Sequence, residues 1–158
     1  MIPTATHLAF AAGYLQLGMI PEARAELENL GAEDRASPAA SASRLELAML
    51  EEDWAEVIAC APELVAHDNT GECPWIAWAY ALRELRRIEE ARDTLLTGAR
   101  LIEKPSLLVA YNLACYACLL GDLPEARRLL DSVFAKDDSW RETAREDDDL
   151  AALRASQP

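Results

Sequence analysis

Four stretches of the chain carry the same stripe, spaced i, i+3, i+4 and i+7. In the first it is His7, Phe10, Ala11 and Tyr14, followed by Gly18. The third gives Trp75, Trp78, Ala79 and Leu82 before Arg86, and the fourth Ala110, Leu113, Ala114 and Ala117 before Gly121. The second is the weakest copy, with Ser41, Arg44, Leu45 and Ala48 before Glu52. A stripe at this spacing predicts one buried face of a helix, so four front helices are expected.

Behind each stripe comes a second, shorter signature. Pro21-Glu22-Ala23-Arg24 returns as Glu89-Glu90-Ala91-Arg92 and as Pro124-Glu125-Ala126-Arg127, with a degraded copy at Ala55-Glu56-Val57-Ile58. The steps are 34 (Ala23 to Val57), 34 (Val57 to Ala91) and 35 (Ala91 to Ala126). These segments predict four rear helices. Pro21 and Pro124 stand where a helix begins, a place where proline's missing N–H has no partner to lose. Glu22 and Glu125 lie near the positive end of the helix dipole. Gly18 and Gly121 can take the left-handed conformation that closes the preceding helix. Ala23, Ala91 and Ala126 are small where the helices of a hairpin cross, and Leu27, Leu95 and Leu130 follow four residues later on the same face.

A period near 34 residues predicts stacked helix hairpins. The expectation is one all-α domain over 1–158, a right-handed α-solenoid of four hairpins at about 4–37, 38–71, 72–106 and 107–139. A solenoid's last repeat needs a closing element with a polar outer side. Residues 140–155 are expected to supply it, through Trp140, Ala144, Leu150 and Leu153, with a break near Asp147-Asp148-Asp149. The charge run from Glu142 to Asp149 reads as a solvated face.

The segments resemble tetratricopeptide repeats over roughly residues 4 to 138. The third copy matches that pattern best, from Trp75 through Ala79 and Ala91 to Pro105. Copy two departs from it at Arg44, Glu52 and Val57. The resemblance implies a protein-interaction role, with peptides bound in the groove that the front helices line.

Bulk composition narrows the picture. Much of the hydrophobic share of 51% is alanine and aromatics are only 6%, which suits close helix packing better than a sandwich or barrel. A formal net charge of -13 disfavours nucleic acid and the anionic face of a membrane as partners. No run approaches the roughly 20 apolar residues that span a bilayer. The opening from Met1 to Gly18 is apolar, but no Lys or Arg precedes Arg24, so it reads as part of the first repeat and the cytoplasm is the expected compartment.

The side of each front helix turned away from its own hairpin is the candidate binding surface. It comprises Ala5, Leu8, Ala12 and Leu15 in the first copy and Ala42, Glu46 and Met49 in the second. The third contributes Ile76, Tyr80 and Arg83, and the fourth Tyr111, Asn112, Cys115 and Cys118. Tyr80, Arg83, Tyr111 and Asn112 are expected on one contiguous inner surface, with the tyrosines as anchors. A groove of Met, Leu and Tyr suits an amphipathic helix or hydrophobic peptide. Some members of the resembled family grip a terminal carboxylate with clustered Lys, Arg and Asn; only Arg83 and Asn112 resemble such a set. The alternative for the groove is that four repeats curve too little to expose one, or that a chain terminus fills it. For Arg83, the plainer use is an ion pair to a nearby glutamate.

Other chemistries find less support. Neither a phosphate-binding glycine loop, a nucleophile elbow nor a His-Glu zinc helix is present, so no enzyme and no cofactor is expected. Cys115 and Cys118 match C-x-x-C, which leaves a thiol or metal protein as an alternative; Cys60 and Cys73 complete the set, and buried free cysteine is the simpler account. A self-associating scaffold, with a second copy as the partner, is the remaining alternative.

Overall fold

The computed structural model describes residues 3–156. Its fold is an all-helical solenoid, and no strand occurs among the described residues. Four antiparallel hairpins pair α1 (Thr4–Gln16) with α2 (Ile20–Glu28), α4 (Pro38–Leu50) with α5 (Trp54–His67), α6 (Glu72–Glu84) with α7 (Ile88–Leu101) and α8 (Leu107–Leu119) with α9 (Leu123–Lys136). A one-turn helix, α3 (Ala32–Arg35), is inserted between the first two hairpins. The chain closes with α10 (Trp140–Glu146), a 3-10 turn (Asp148–Leu150) and α11 (Ala151–Ala155).

The four hairpin turns share one backbone geometry. Gly18, Glu52, Arg86 and Gly121 have φ of 70°, 56°, 62° and 82°, all in the left-handed region. Each turn closes its front helix with the same two bonds. The first joins the left-handed residue's N–H to the carbonyl three back, as Gly18 to Leu15 (3.1 Å) and Arg86 to Arg83 (2.9 Å). The second joins the next N–H to a carbonyl five back: Met19 to Tyr14, Asp53 to Ala48, Arg87 to Leu82 and Asp122 to Ala117, at 2.8–2.9 Å. This is the Schellman closure, and glycine is its natural residue. Copy two therefore keeps the turn despite its poor match in sequence.

Rear helices start differently. Asp53 and Asp122 cap theirs by accepting from the Glu56 and Glu125 N–H groups at 3.1 Å, while Met19 and Arg87 offer no side-chain cap. Ala23, Val57, Ala91 and Ala126 are completely buried at the crossings. A small residue here lets the two helix backbones approach closely, and no water reaches the contact.

Two stripe positions differ from expectation. Phe10 is 47% exposed instead of buried, because no described residue covers that side of α1. Arg44 stays half-buried at the rim, where its Nε donates to Glu56 Oε1 at 3.0 Å. The insertion of α3 has a local cause. Helix α2 stops early at Glu28, and Arg35 turns back to donate to the carbonyls of Leu30 (2.8 Å) and Glu28. End carbonyls otherwise left to solvent are thereby satisfied.

The thickest core spans the third and fourth hairpins and runs into the cap through Leu150 and Leu153. Within it Trp75 lies over Gly98, where a Cβ would come within 2.5 Å of the indole. The indole N–H donates to the Asn69 carbonyl at 3.0 Å, and the ring stacks on Trp78.

Candidate inner surface and the segment that closes it

The expected surface residues divide into two groups. Leu8, Met49 and Ile76 are half-buried, each packed against its own part of the core, and Glu46 is exposed. Tyr80 is 39% exposed and sets its ring edge-on to Trp54, with centroids 5.7 Å apart. Trp54 opens a rear helix, and nothing in its local spacing points to this pairing.

Around the fourth repeat the surface is not open. Tyr111 and Cys115, expected as groove residues, are 4% and 3% exposed, and Cys118 is buried beside them. The chain's own Asp147–Asp149 turn lies over them. Tyr111 Oη donates to Asp147 Oδ2 at 2.7 Å, and Trp140 covers the Tyr111 ring at 4.8 Å between centroids. Cys115 Sγ lies 3.6 Å from the same carboxylate oxygen. Arg83 holds Asp149 with its fork: Nε donates to Oδ2 at 2.8 Å, and a terminal nitrogen donates to Oδ1. Glu84 takes the other terminal nitrogen. The expected partner of Arg83 was a nearby glutamate; the principal one is an aspartate 66 residues away.

Asp147 is the hub of this closure. Besides its contact with Tyr111, it caps the 3-10 turn by accepting from the Asp149 N–H at 3.0 Å. Its carbonyl accepts from Arg154 at 2.6 Å. The acidic run is therefore folded against the solenoid by Asp147 and Asp149, while Asp148 alone keeps the exposed position expected for all three.

A polar cavity of about 160 Å³ remains between the turn and the front helices, lined by Tyr80, Arg83, Asn112 and Tyr116 on the solenoid side. The Tyr116 hydroxyl is buried and finds no hydrogen-bond partner among the described residues. The cavity it lines has room for water to pair it.

Electrostatics fix the protonation states. Burial first, then the bond to Asp147, pushes the Tyr111 phenol well above its usual range. Burial, aided by the charges of Asp147 and Asp149, does the same to the Cys115 thiol. The Cys60 thiol is pushed up to about 12, chiefly by burial and then by its contact with Glu56. The hydrogen bonds to Asp149 drive the Arg83 guanidinium further up.

These shifts bear on the metal alternative. Donor atoms of Cys115, Asp147 and Asp149 lie within 4.8 Å of one another. A metal there would need a thiolate, which burial and two carboxylates oppose, and would have to displace Arg83 and Tyr111 from the aspartates. Cys118 takes no part in this cluster, so the C-x-x-C pair does not converge on one site.

No family model matches the chain, and no curated protein matches it. Among solved structures it is similar to two crystal structures from Podosopora anserina of a protein described as a kinesin light chain with nearly identical TPR-like repeats. One, a point variant, aligns with TM-score 0.66 at 22% identity over 97% of this chain and 87% of that one. The other gives 0.65 at 22% identity over 99% and 91%. The fold is thus that of TPR-like repeat solenoids. Among the described residues no helix is long and apolar enough to cross a membrane.

Proposed function

We propose that this chain is a non-catalytic protein-interaction module, binding a helix or hydrophobic peptide of a partner along the open part of its inner surface. That part runs over the first three front helices, through Leu8, Glu46, Met49, Ile76 and Tyr80. The observation that carries the reading is Tyr80, a large aromatic left 39% exposed on a front helix and steadied by Trp54. Rigid aromatics with a polar tip anchor interfaces at little entropic cost. Tyr111, Asn112 and Cys115 leave the candidate set as direct contacts, and Arg83 becomes the clasp for the C-terminal turn. The test is capture of partners from native cell extract by the full chain and by Tyr80→Ala. Loss of a specific partner, with circular dichroism and melting unchanged, is the expected result. Identical capture by both proteins defeats the reading.

Self-association has its own supporting observation. Phe10 on α1 and Leu17, the residue that ends this helix, are 47% and 74% exposed. A concentration-dependent mass abolished by Phe10→Glu with Leu17→Glu would favour a second copy; a constant monomer mass would remove this reading.

A further inference from the structure

Beside the last hairpin, α9 and the cap enclose an open cleft of about 370 Å³, to which no front helix contributes a lining residue. Four arginines line it, Arg127, Arg141, Arg145 and Arg154, against one carboxylate, Asp131. In a chain with a formal net charge of -13, so local an excess of positive charge is unusual. Like charges gathered in one cleft repel one another, and an arriving anion relieves that repulsion.

A cleft of similar size beside the second hairpin shows the contrast. There Arg24, Arg35 and Arg44 meet Glu28, Glu51, Asp53 and Glu56. Arg24 pairs with Glu51 and Arg44 with Glu56, so its charges are cancelled within the fold. In the cap cleft only Arg141 has a carboxylate partner, Asp138, while its guanidinium lies 4.5 Å from the Phe134 ring centroid. Arg154 donates to two neutral acceptors, the Ala144 and Asp147 carbonyls, through one terminal nitrogen, and no carboxylate among the described residues offsets its charge. Arg127 and Arg145 form no ion pair among the described residues. Between these charges the floor is apolar, with Phe134 and Ala144 half-buried over Leu130, Leu150 and Leu153.

We propose that this cleft is a second docking site, for an acidic peptide of a partner protein that places a large apolar side chain on the Phe134 floor and carboxylates on Arg127, Arg145 and Arg154. Guanidinium forks match carboxylates in geometry and charge, and the volume lies in the range of sites that hold a side chain or small ligand. A concave site of this size suits a side chain better than a bilayer, and the strongly negative remainder of the molecule opposes both anionic membranes and nucleic acid. The proposal does not rest on the inner-surface reading.

The test is fluorescence anisotropy of the full chain with a labelled, amidated synthetic peptide in which leucine and phenylalanine are flanked by glutamates. Its glutamine counterpart, polyglutamate and phosphatidylserine vesicles serve as comparisons. Saturable binding of the glutamate peptide is expected, at least about tenfold tighter than the glutamine peptide and weakened by salt. Arg127→Glu with Arg145→Glu should weaken it by about tenfold or more, since juxtaposed like charges are strongly unfavourable at an interface. Both residues are exposed, and unchanged circular dichroism and melting would confirm that the fold survives. Arg154 is left intact because it holds the cap. Tyr80→Ala should not alter the affinity, which separates this site from the inner surface. Absence of binding at low salt, equal binding of the glutamine peptide, indifference to the charge reversals, or equal competition by polyglutamate or vesicles would each overturn the proposal.

Discussion

Glu52 and Arg86 stand where the other two hairpins have glycine, and each holds a left-handed backbone with φ of 56° or 62°. That conformation costs an L-residue roughly 1–2 kcal/mol, while glycine gives back about 0.5–1 kcal/mol through a more flexible unfolded chain. Neither side chain forms an ion pair among the described residues. Glu52→Gly and Arg86→Gly should therefore each stabilise the protein by up to about 1 kcal/mol, read as a shifted urea midpoint. Gly98 is the opposite case. Helix propensity favours alanine there by about 1 kcal/mol, yet the new Cβ would lie 2.5 Å from the Trp75 ring. Gly98→Ala should lose about 1–3 kcal/mol through overpacking; a gain would mean that the indole moves aside freely. The reason lies in paired positions along the repeat. At the positions that Trp75 and Gly98 hold in the third copy, the others have His7 and Leu30, Ser41 and Leu64, and Ala110 and Val133. The period makes these positions legible in sequence, but that Trp75 needs a residue without a Cβ at Gly98 shows only once both helices are placed. The same holds for the turns: Gly18 and Gly121 announce them, whereas Glu52 and Arg86 are found only by counting 34 residues.

Helices on the hairpin scale were readable because the front helices carry a shared stripe and the period of about 34 residues locates the copies whose turn or start signal is missing. Two elements were not. The one-turn α3 has too few residues for a period, and what holds it is a pair of side-chain bonds from Arg35 to backbone carbonyls. The Asp147–Asp149 turn looks solvated in sequence because an acidic run normally is, and its partners Tyr111 and Arg83 lie 36 and 66 residues away. Apolar signals did mark the cap itself, since Leu150 and Leu153 are buried and Trp140 covers Tyr111. If the Arg83–Asp149 clasp holds this turn down, Arg83→Gln should loosen it without melting the hairpins. The pair is partly buried and two-pronged, so a loss of about 1–2 kcal/mol is expected, together with faster hydrogen exchange and proteolysis after residue 140. Asp149→Asn should then cost much less in the Arg83→Gln background than alone. Additive effects would show that the two residues act separately and that the clasp is not what secures the turn.

Across the whole molecule, buried acids that hold their protons tightly make stability depend on alkaline pH. Cys60, Cys115, Tyr111 and Tyr116 are all raised, with burial the first cause in each, and Cys60 is raised from an ordinary 9.0 to about 12. Below the ordinary thiol value, folded and unfolded chains both keep these protons, and the groups add no pH dependence. As pH rises beyond it, the unfolded chain releases protons that the folded chain still binds. Proton release then favours unfolding, so the stability these groups contribute is lost with rising pH, first through the thiols and then through the tyrosines. Urea unfolding followed between about pH 8 and 11 should show a midpoint that falls progressively, and tyrosinate absorbance for Tyr111 and Tyr116 should appear only with unfolding. The same burial should leave Cys73, the one exposed cysteine, as the only thiol that reacts quickly in the native state at neutral pH, with Cys60, Cys115 and Cys118 following on denaturation. Rapid native modification of Cys115 together with Cys118, or stoichiometric zinc in the purified protein, would instead revive the thiol or metal reading. It would also mean that the Asp147 turn opens far more readily than its bonds to Tyr111 and Arg154 imply.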